Sequence, residues 1–306
     1  MYAAADLLDE IRRLIVRHAR VDLQTPIEGL FVSRVETTAP DYSLAEPLLV
    51  VMAQGGKRLL LGEQIFEYRA GQHLIVTADL PVTGHFLDAT PSTPALGLGI
   101  ALRPNVIASL LLEAPVPRWS RGAAGPPAIA TGDTPPELLD AAARMLRLLD
   151  HLDDARVLAP LLEREILWRL LTGPHGPVIR EIGLADSGLA HVGRAITWIR
   201  DNYAEPMRVE DLAALAGMSP SAFHRRFRAI TAISPLQFQK RIRLQHARAF
   251  LMAGTGDIAA VGHLVGYDSP TQFNREYRRL FGAPPGQHAA QLRSAAASPL
   301  DARHLP

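Results

Sequence analysis

The 306-residue sequence contains no cysteine. That removes disulfides, thiolate metal ligands, cysteine nucleophiles and thiol redox sensing together, and it accords with a reducing compartment. Aromatic residues are few, at 6%, so any that recur at fixed spacing carry information. No window approaches the ~20 apolar residues that a membrane-spanning helix needs. Asp6, Asp9 and Glu10 stand where a signal peptide would carry basic and then apolar residues. A cytoplasmic protein without a membrane partner is the expectation. Net charge is nearly absent as well, at +1.

What is present is an ordinary globular composition, 48% hydrophobic and 21% charged, on a chain long enough for two domains. The near-zero net charge conceals an asymmetry. Residues 190–293 hold 14 Lys and Arg against 7 Asp and Glu, while the remainder of the chain is net acidic. A basic third beside an acidic remainder suits a polyanionic partner for that third alone.

Leu7, Leu8, Ile11, Leu14 and Ile15 recur at helical spacing and predict an amphipathic N-terminal helix. Short β-rich runs then follow at Leu30–Glu36, Leu48–Ala53, Arg58–Leu61, Gln64–Tyr68, Leu74–Ala78, Thr83–Leu87 and Leu96–Leu102. Turn residues such as Gly55, Gly56, Gly62 and Gly71 separate them. Many short strands at even spacing favour a small barrel or jelly roll able to hold a ligand, with a plain sandwich as the alternative. Leu48, Val50 and Met52 alternate and can face one interior; with His73 and His85 they are the candidate lining of an effector pocket. A helix from Pro104, a Pro- and Gly-rich loop over 114–136, and a helical hairpin at Leu138–Leu149 and Val157–Leu171 complete this half. The hairpin either packs on the barrel or forms a dimer surface.

From His191 the pattern is helical throughout and contains one internal repeat. Residues 209–227 and 258–277 each give a short apolar helix, a glycine followed by an apolar residue, and then Ser-Pro opening a second helix. Gly217 and Gly266 fall where a tight turn needs positive φ. Ser219 and Ser269 are placed as N-caps, with Pro220 and Pro270 at the first helical position, where a missing N–H costs nothing. Phe223 and Phe227, like Phe273 and Tyr277, are four apart and define one buried face. The opposite faces carry Ser221, His224 and Arg225 in the first copy and Thr271, Gln272, Asn274 and Arg275 in the second, the candidates for reading base edges. Arg228, Arg278 and, on a connecting helix spanning Ser234–Met252, Lys240, Arg241, Arg243 and Arg248 are candidates for phosphate contacts. At 1.5 Å per residue that connector is roughly 28 Å long, close to one turn of duplex.

The stretches Asp211–Ser221, Thr231–Gln237, Arg243–Arg248 and Val265–Pro285 closely resemble the AraC/XylS family of transcription regulators. Gln54–Glu63, Val76–Gly84 and Glu165–Pro174 resemble a subgroup with its own N-terminal domain. The resemblance implies an α+β two-domain protein. Its N-terminal part, 1–180, is a cupin-like β-barrel with a helical hairpin that senses a small organic effector, aldehydes in some members. Its all-α part, 187–293, is a double helix-turn-helix that binds double-stranded promoter DNA, and 294–306 is a tail. RNA polymerase is a further partner if the protein activates, and a homodimer is possible. Gly262 departs from the family, which usually has Ala there, as does His263 beside it. Gly262 makes the second unit less rigid or lets two helices approach closely.

A cupin-like barrel also raises the alternative of a metal-binding enzyme domain fused to a DNA-binding domain. Cupin metal sites use a His-x-His pair followed by Glu, and His73 and His85 do not supply that spacing. No phosphate-binding glycine loop or nucleophile elbow is present either. The expectation is no metal, no cofactor and no catalytic residue.

Overall fold

The computed structural model describes residues 4–113, 127–254 and 257–296. The chain divides between His191 and Val192 into two compact units. The first contains α1 (Ala4–His18), β1 (Leu30–Val35), β2 (Asp41–Ala45), β3 (Leu48–Gln54), β4 (Gly56–Leu61), β5 (Gln64–Arg69), β6 (Gln72–Val76), β7 (Leu80–Leu87), β8 (Ala95–Ala101), α2 (Pro104–Glu113), β9 (Ile129–Asp133), α3 (Pro136–Arg147), α4 (Leu152–Thr172) and α5 (Gly176–Gly183).

Its strands form two antiparallel sheets, ordered β1-β8-β3-β6-β9 and β2-β7-β4-β5. The barrel expected from the sequence is therefore not closed: the strands make an open sandwich. Strand β3 is buried on both faces, and its alternation sorts the two environments. Leu49, Val51 and Ala53 join Leu30, Val32, Ile75, Leu98 and Ile100 in a core covered by α1 to α4. Leu48, Val50 and Met52 are equally buried but point the other way, between the sheets. Each buried Leu or Ile here contributes about 1.5–3 kcal/mol relative to exposure, so register slippage by one residue would exchange both cores at once.

The expected hairpin is present as α3 packed on α4, although α4 begins at Leu152 rather than Val157. Asp153 and Asp154 occupy its first turn, where negative charge meets the positive helix end. Two strands and one helix were not expected. β2 is short and, among the described residues, pairs with β7 alone, and β9 is likewise an edge strand paired with β6. The latter lies within the loop expected over 114–136, of which 114–126 fall outside the described residues. Helix α5 follows the Gly-Pro-His turn at 173–175.

The second unit is all helix: most of α6 (Gly188–Asp201), then α7 (Val209–Leu215), α8 (Pro220–Thr231), α9 (Pro235–Met252), α10 (Ile258–Leu264), α11 (Pro270–Phe281) and α12 (Pro285–Ala296). α9 is the long connector, and α8, α10, α11 and α12 all pack on it. Its start is fixed by a reciprocal cap: Ser234 accepts from the Gln237 amide, and the Gln237 side chain accepts from the Ser234 amide. α12 runs into the expected tail, and 297–306 lie outside the described residues.

Candidate nucleic-acid interface

The two helix-turn-helix copies are built by the same local chemistry. In the first, α7 ends at a turn where Gly217 has φ 65°, and Ser219 caps α8 by accepting from the Ala222 amide. In the second, Asp257 caps α10, accepting from Ala260 at 2.7 Å. Gly266 then turns at φ 88°, and Ser269 caps α11. A β-carbon at Gly266 would lie 2.2 Å from the Ala204 carbonyl oxygen, so glycine is required there by space as well as by conformation.

Phe223 and Phe227 are fully buried with ring centroids 5.4 Å apart. Phe273 and Tyr277 repeat the pair at 5.6 Å. Gly262 stands at a close approach of two helices. It is buried, and a β-carbon there would sit 3.1 Å from the Phe273 ring. The exposed faces are consequently the ones opposite the aromatics. Ser221, His224, Arg225 and Arg228 are exposed on α8, and Thr271, Asn274, Arg275 and Arg278 are exposed on α11. Arg225 and Arg275 stand at matching positions, each two residues beyond the buried Phe.

The remaining candidates are half-buried and engaged by partners within the unit. Gln272 is half-buried and donates to Glu276 Oε1 at 3.2 Å. Lys240 on α9 donates to the same oxygen at 2.7 Å, and the Tyr267 hydroxyl donates to Oε2 at 2.9 Å. Burial pushes the Glu276 carboxyl up, but these three donors, Lys240 foremost, hold it below the usual carboxylate range. Arg243 donates to the carbonyls of Tyr203 at 2.7 Å, Gly266 at 2.6 Å, and Ala204 and Glu205 at 3.1 Å. Its guanidinium thus ties the segment after α6 to the second turn. Arg241 and Arg248 are half-buried and engaged as well. Of the candidate cations, those that extend into solvent from the two helix faces are Arg225, Arg228, Arg275 and Arg278.

In the first unit the five pocket candidates do not converge. Leu48, Val50 and Met52 share the inter-sheet interior, where Lys57 is also fully buried, its Nζ 3.5 Å from Asp41 and 4.4 Å above the Phe86 ring. His85 lies opposite Arg58 on the outer face of the second sheet, alongside the Arg58–Glu67 ion pair. His73 pairs with Val51 and Gly132 in register and so faces the helices. Among the described residues, no group of three or more His, Cys, Asp or Glu is placed to hold a metal ion. No helix of the described residues is long and apolar enough to cross a membrane.

The N-terminal model of AraC-type transcriptional regulators matches residues 26–178, half of the chain, and a helix-turn-helix domain model matches residues 212–291. The chain belongs to the AraC family of transcriptional regulators. Among curated relatives, a putative AraC-like transcription regulator of Streptomyces lividans is 34% identical over 106 residues, which cover 35% of this chain and 34% of that protein. The RCS-specific HTH-type transcriptional activator RclR of Escherichia coli is 33% identical over 88 residues, covering 29% and 31%. The chain therefore spans about a third of the length of these curated relatives. Over the whole fold, an apo point variant of ToxT from Vibrio cholerae superposes with a TM-score of 0.57 at 7% identity, covering 88% of this chain and all of that one.

Three residues not marked by the sequence, His175, Thr134 and Glu276, organise their surroundings. His175 packs edge-on against His73, with centroids 5.1 Å apart, and Thr134 Oγ1 lies 3.4 Å from His73 Nδ1. Nothing in the Gly-Pro-His-Gly-Pro run marks it as facing β6. Glu276 stands at i+9 from Tyr267 and i+4 from Gln272, a spacing that could have flagged it as an internal acceptor within an otherwise basic helix.

Proposed function

We propose that this AraC-family chain is a sequence-specific regulator that binds double-stranded promoter DNA through α8 and α11 and responds to a small organic effector held by its N-terminal unit. The observation that carries the reading is the pair of matched exposed faces. Each is opposite a buried aromatic pair and each offers Arg at the same place, in a segment with twice as many basic as acidic residues. Arg can donate two hydrogen bonds to guanine O6 and N7, while short polar residues near a helix N-terminus reach neighbouring base edges. Ser221, His224, Arg225, Thr271, Asn274 and Arg275 are the proposed base readers. Arg228 and Arg278, one turn further along, are the proposed phosphate contacts.

The effector half of the reading is supported by a structural neighbour. ToxT bound to a methylnaphthalenyl butenoic acid superposes with a TM-score of 0.53 at 8% identity, covering 86% of this chain and 98% of that one. The proposal includes a homodimer through α4, where Val157, Leu158 and Leu161 are 67%, 42% and 58% exposed at adjoining helical positions. It also includes RNA polymerase as a partner if the protein activates, a cytoplasmic location, and no catalytic activity of its own.

The test is the salt dependence of DNA binding by the full chain and by a fragment spanning 187–296. Log affinity should fall linearly with log salt, by about 0.9 per phosphate neutralised, with the same slope for both proteins. Absence of DNA binding by both at low salt would overturn the reading.

A further inference from the structure

A second site lies outside the sandwich, on the helix side of the five-stranded sheet. At the β6–β9 edge, the Gly173–His175 turn between α4 and α5 arches over the sheet and leaves a cavity of about 600 Å³. That volume is within the range of small-molecule sites, and the lining has the usual mixture of an apolar body with a few polar groups. Pro135, Leu138, Leu170 and Pro174 supply the apolar wall, and His73 and His175 the polar end.

His73 is the decisive residue. It is only 3% exposed, its Nδ1 lies 3.4 Å from Thr134 Oγ1, and its Nε2 has no hydrogen-bond partner among the described residues. A buried polar atom without a partner costs about 1–3 kcal/mol, and folded proteins retain very few of them. The residue opposite it also lets the two imidazoles meet. Gly132 lies directly opposite His73 in the β6–β9 register. A β-carbon there would stand 2.9 Å from His175 Nε2 and 3.5 Å from His73 Cε1.

The charge around the cavity selects the kind of ligand. Arg169 lines it, and its charge is paired with Glu165, to which Nη2 and Nε donate at 2.7 and 3.0 Å. The other charged groups in the lining are Asp133 and Glu137, so carboxylates outnumber the one ion-paired cation and the wall disfavours an anionic ligand. Burial, with His175 adding to it, pushes His73 down to about 4, and burial lowers His175 too. Both imidazoles are therefore neutral at pH 7, able to donate from one nitrogen and accept at the other.

We propose that this cavity is the effector site of the regulator and takes a small neutral organic molecule whose hydroxyl or carbonyl oxygen hydrogen-bonds His73 Nε2, its apolar body lying against Leu138, Leu170 and Pro174. This rests on the effector half of the function proposed above and moves it from the inter-sheet interior to the cover of the sheet. The ligand would contact the turn joining α4 to α5, a position from which occupancy can bias the arrangement of those helices, provided it binds two arrangements unequally.

The experiment uses the full chain without DNA, so that its outcome is independent of the DNA-binding reading. Benzyl alcohol, acetophenone, cyclohexanone and benzamide are the probes. Binding is read by the shift of the N-terminal melting transition and by the side-chain ¹⁵N signals of histidine-labelled protein. At roughly ten times its Kd, a probe should raise that transition by about 3–6 °C and move the Nε2 resonance of His73. His73→Phe and Gly132→Ala should each weaken binding at least roughly tenfold, the factor equivalent to one lost hydrogen bond of about 1.4 kcal/mol. His73→Gln, which restores a polar end, should recover part of it. Failure of all four probes to bind the wild type, or binding that survives both weakening variants, would overturn the proposal. So would a larger shift with zinc chloride alone that is lost in His73→Phe, because the pair would then be a metal site.

Discussion

Replacing Arg243 by Met keeps most of the apolar stem and removes the guanidinium. Its four acceptors are main-chain carbonyls on two separate segments, Tyr203 to Glu205 and Gly266, and Met offers no donor. A hydrogen bond from a charged group is worth about 1.5–3 kcal/mol net. The side chain is half-buried, and water can replace the two longer bonds once it leaves. Counting only those to Tyr203 and Gly266, at the low end of the range, gives a loss of about 3 kcal/mol. For a unit of about 100 residues this corresponds to roughly 15 °C in melting temperature. Differential scanning calorimetry of the full chain should show the C-terminal transition falling by that amount and the N-terminal one unmoved. DNA affinity measured well below both transitions should keep its slope against log salt. If Arg243 instead lies on a phosphate, the melting temperature will hardly change and the slope will become shallower by about 0.9. That pair of results would refute the assignment of Arg243 as an internal clamp.

Two further predictions concern the same unit. Because the folded Glu276 carboxyl is held below the usual range, its stabilisation is present above the unfolded value of about 4.3 and is lost as pH falls through the folded value. Glu276→Gln should therefore melt lower than wild type at pH 7 yet lose less on acidification from about pH 5 to pH 3; an unchanged acid dependence would contradict the three-donor site. Gly266→Ala should destabilise far more than Gly282→Ala, by at least about 3 against about 1 kcal/mol, since both strain a positive φ but only the former drives a methyl into the Ala204 carbonyl, a β-carbon at Gly282 meeting open space; comparable urea midpoints for the two variants would contradict it.

The parts of this molecule that were legible in the sequence are those specified locally. The caps Ser219, Ser234 and Ser269, the turn glycines 217 and 266, and the aromatic pairs four residues apart act within a few positions of themselves. Two copies of one pattern made the helix-turn-helix units readable without any tertiary information. The strands with a strong β composition were readable for the same reason. β9 was not, because a five-residue edge strand containing Thr131, Gly132 and Asp133 has little intrinsic β preference and exists through its pairing with β6. Closure of the barrel was likewise beyond periodicity, which gives strands but not the order in which they pair.

The interface residues divide along the same line. Exposure of Arg225 and Arg275 follows from helical phase relative to Phe223 and Phe273, so the sequence suffices. Lys240 and Arg243 lie on a helix whose amphipathic pattern offers them to solvent, yet their partners are 36 and 40 residues away. Long flexible cations find carbonyls and carboxylates of distant segments, and only tertiary structure discloses that. His73 is the converse case. Its place on β6 was evident, but which face it took, and that His175 would meet it there, depended on register and on a turn about a hundred residues later.

Whether α8 and α11 each read bases is decided by selecting bound sequences from a randomised duplex library with wild type, Arg225→Ala and Arg275→Ala. Wild type should enrich two informative patches centred about 10 base pairs apart, one helical turn. Arg225→Ala should relax preference in one patch and Arg275→Ala in the other, each by about 1–3 kcal/mol at the affected position. Enrichment of no preferred sequence by wild type, or uniform weakening by both variants with the preferred sequence intact, would mean that these helices grip only the backbone and read no bases.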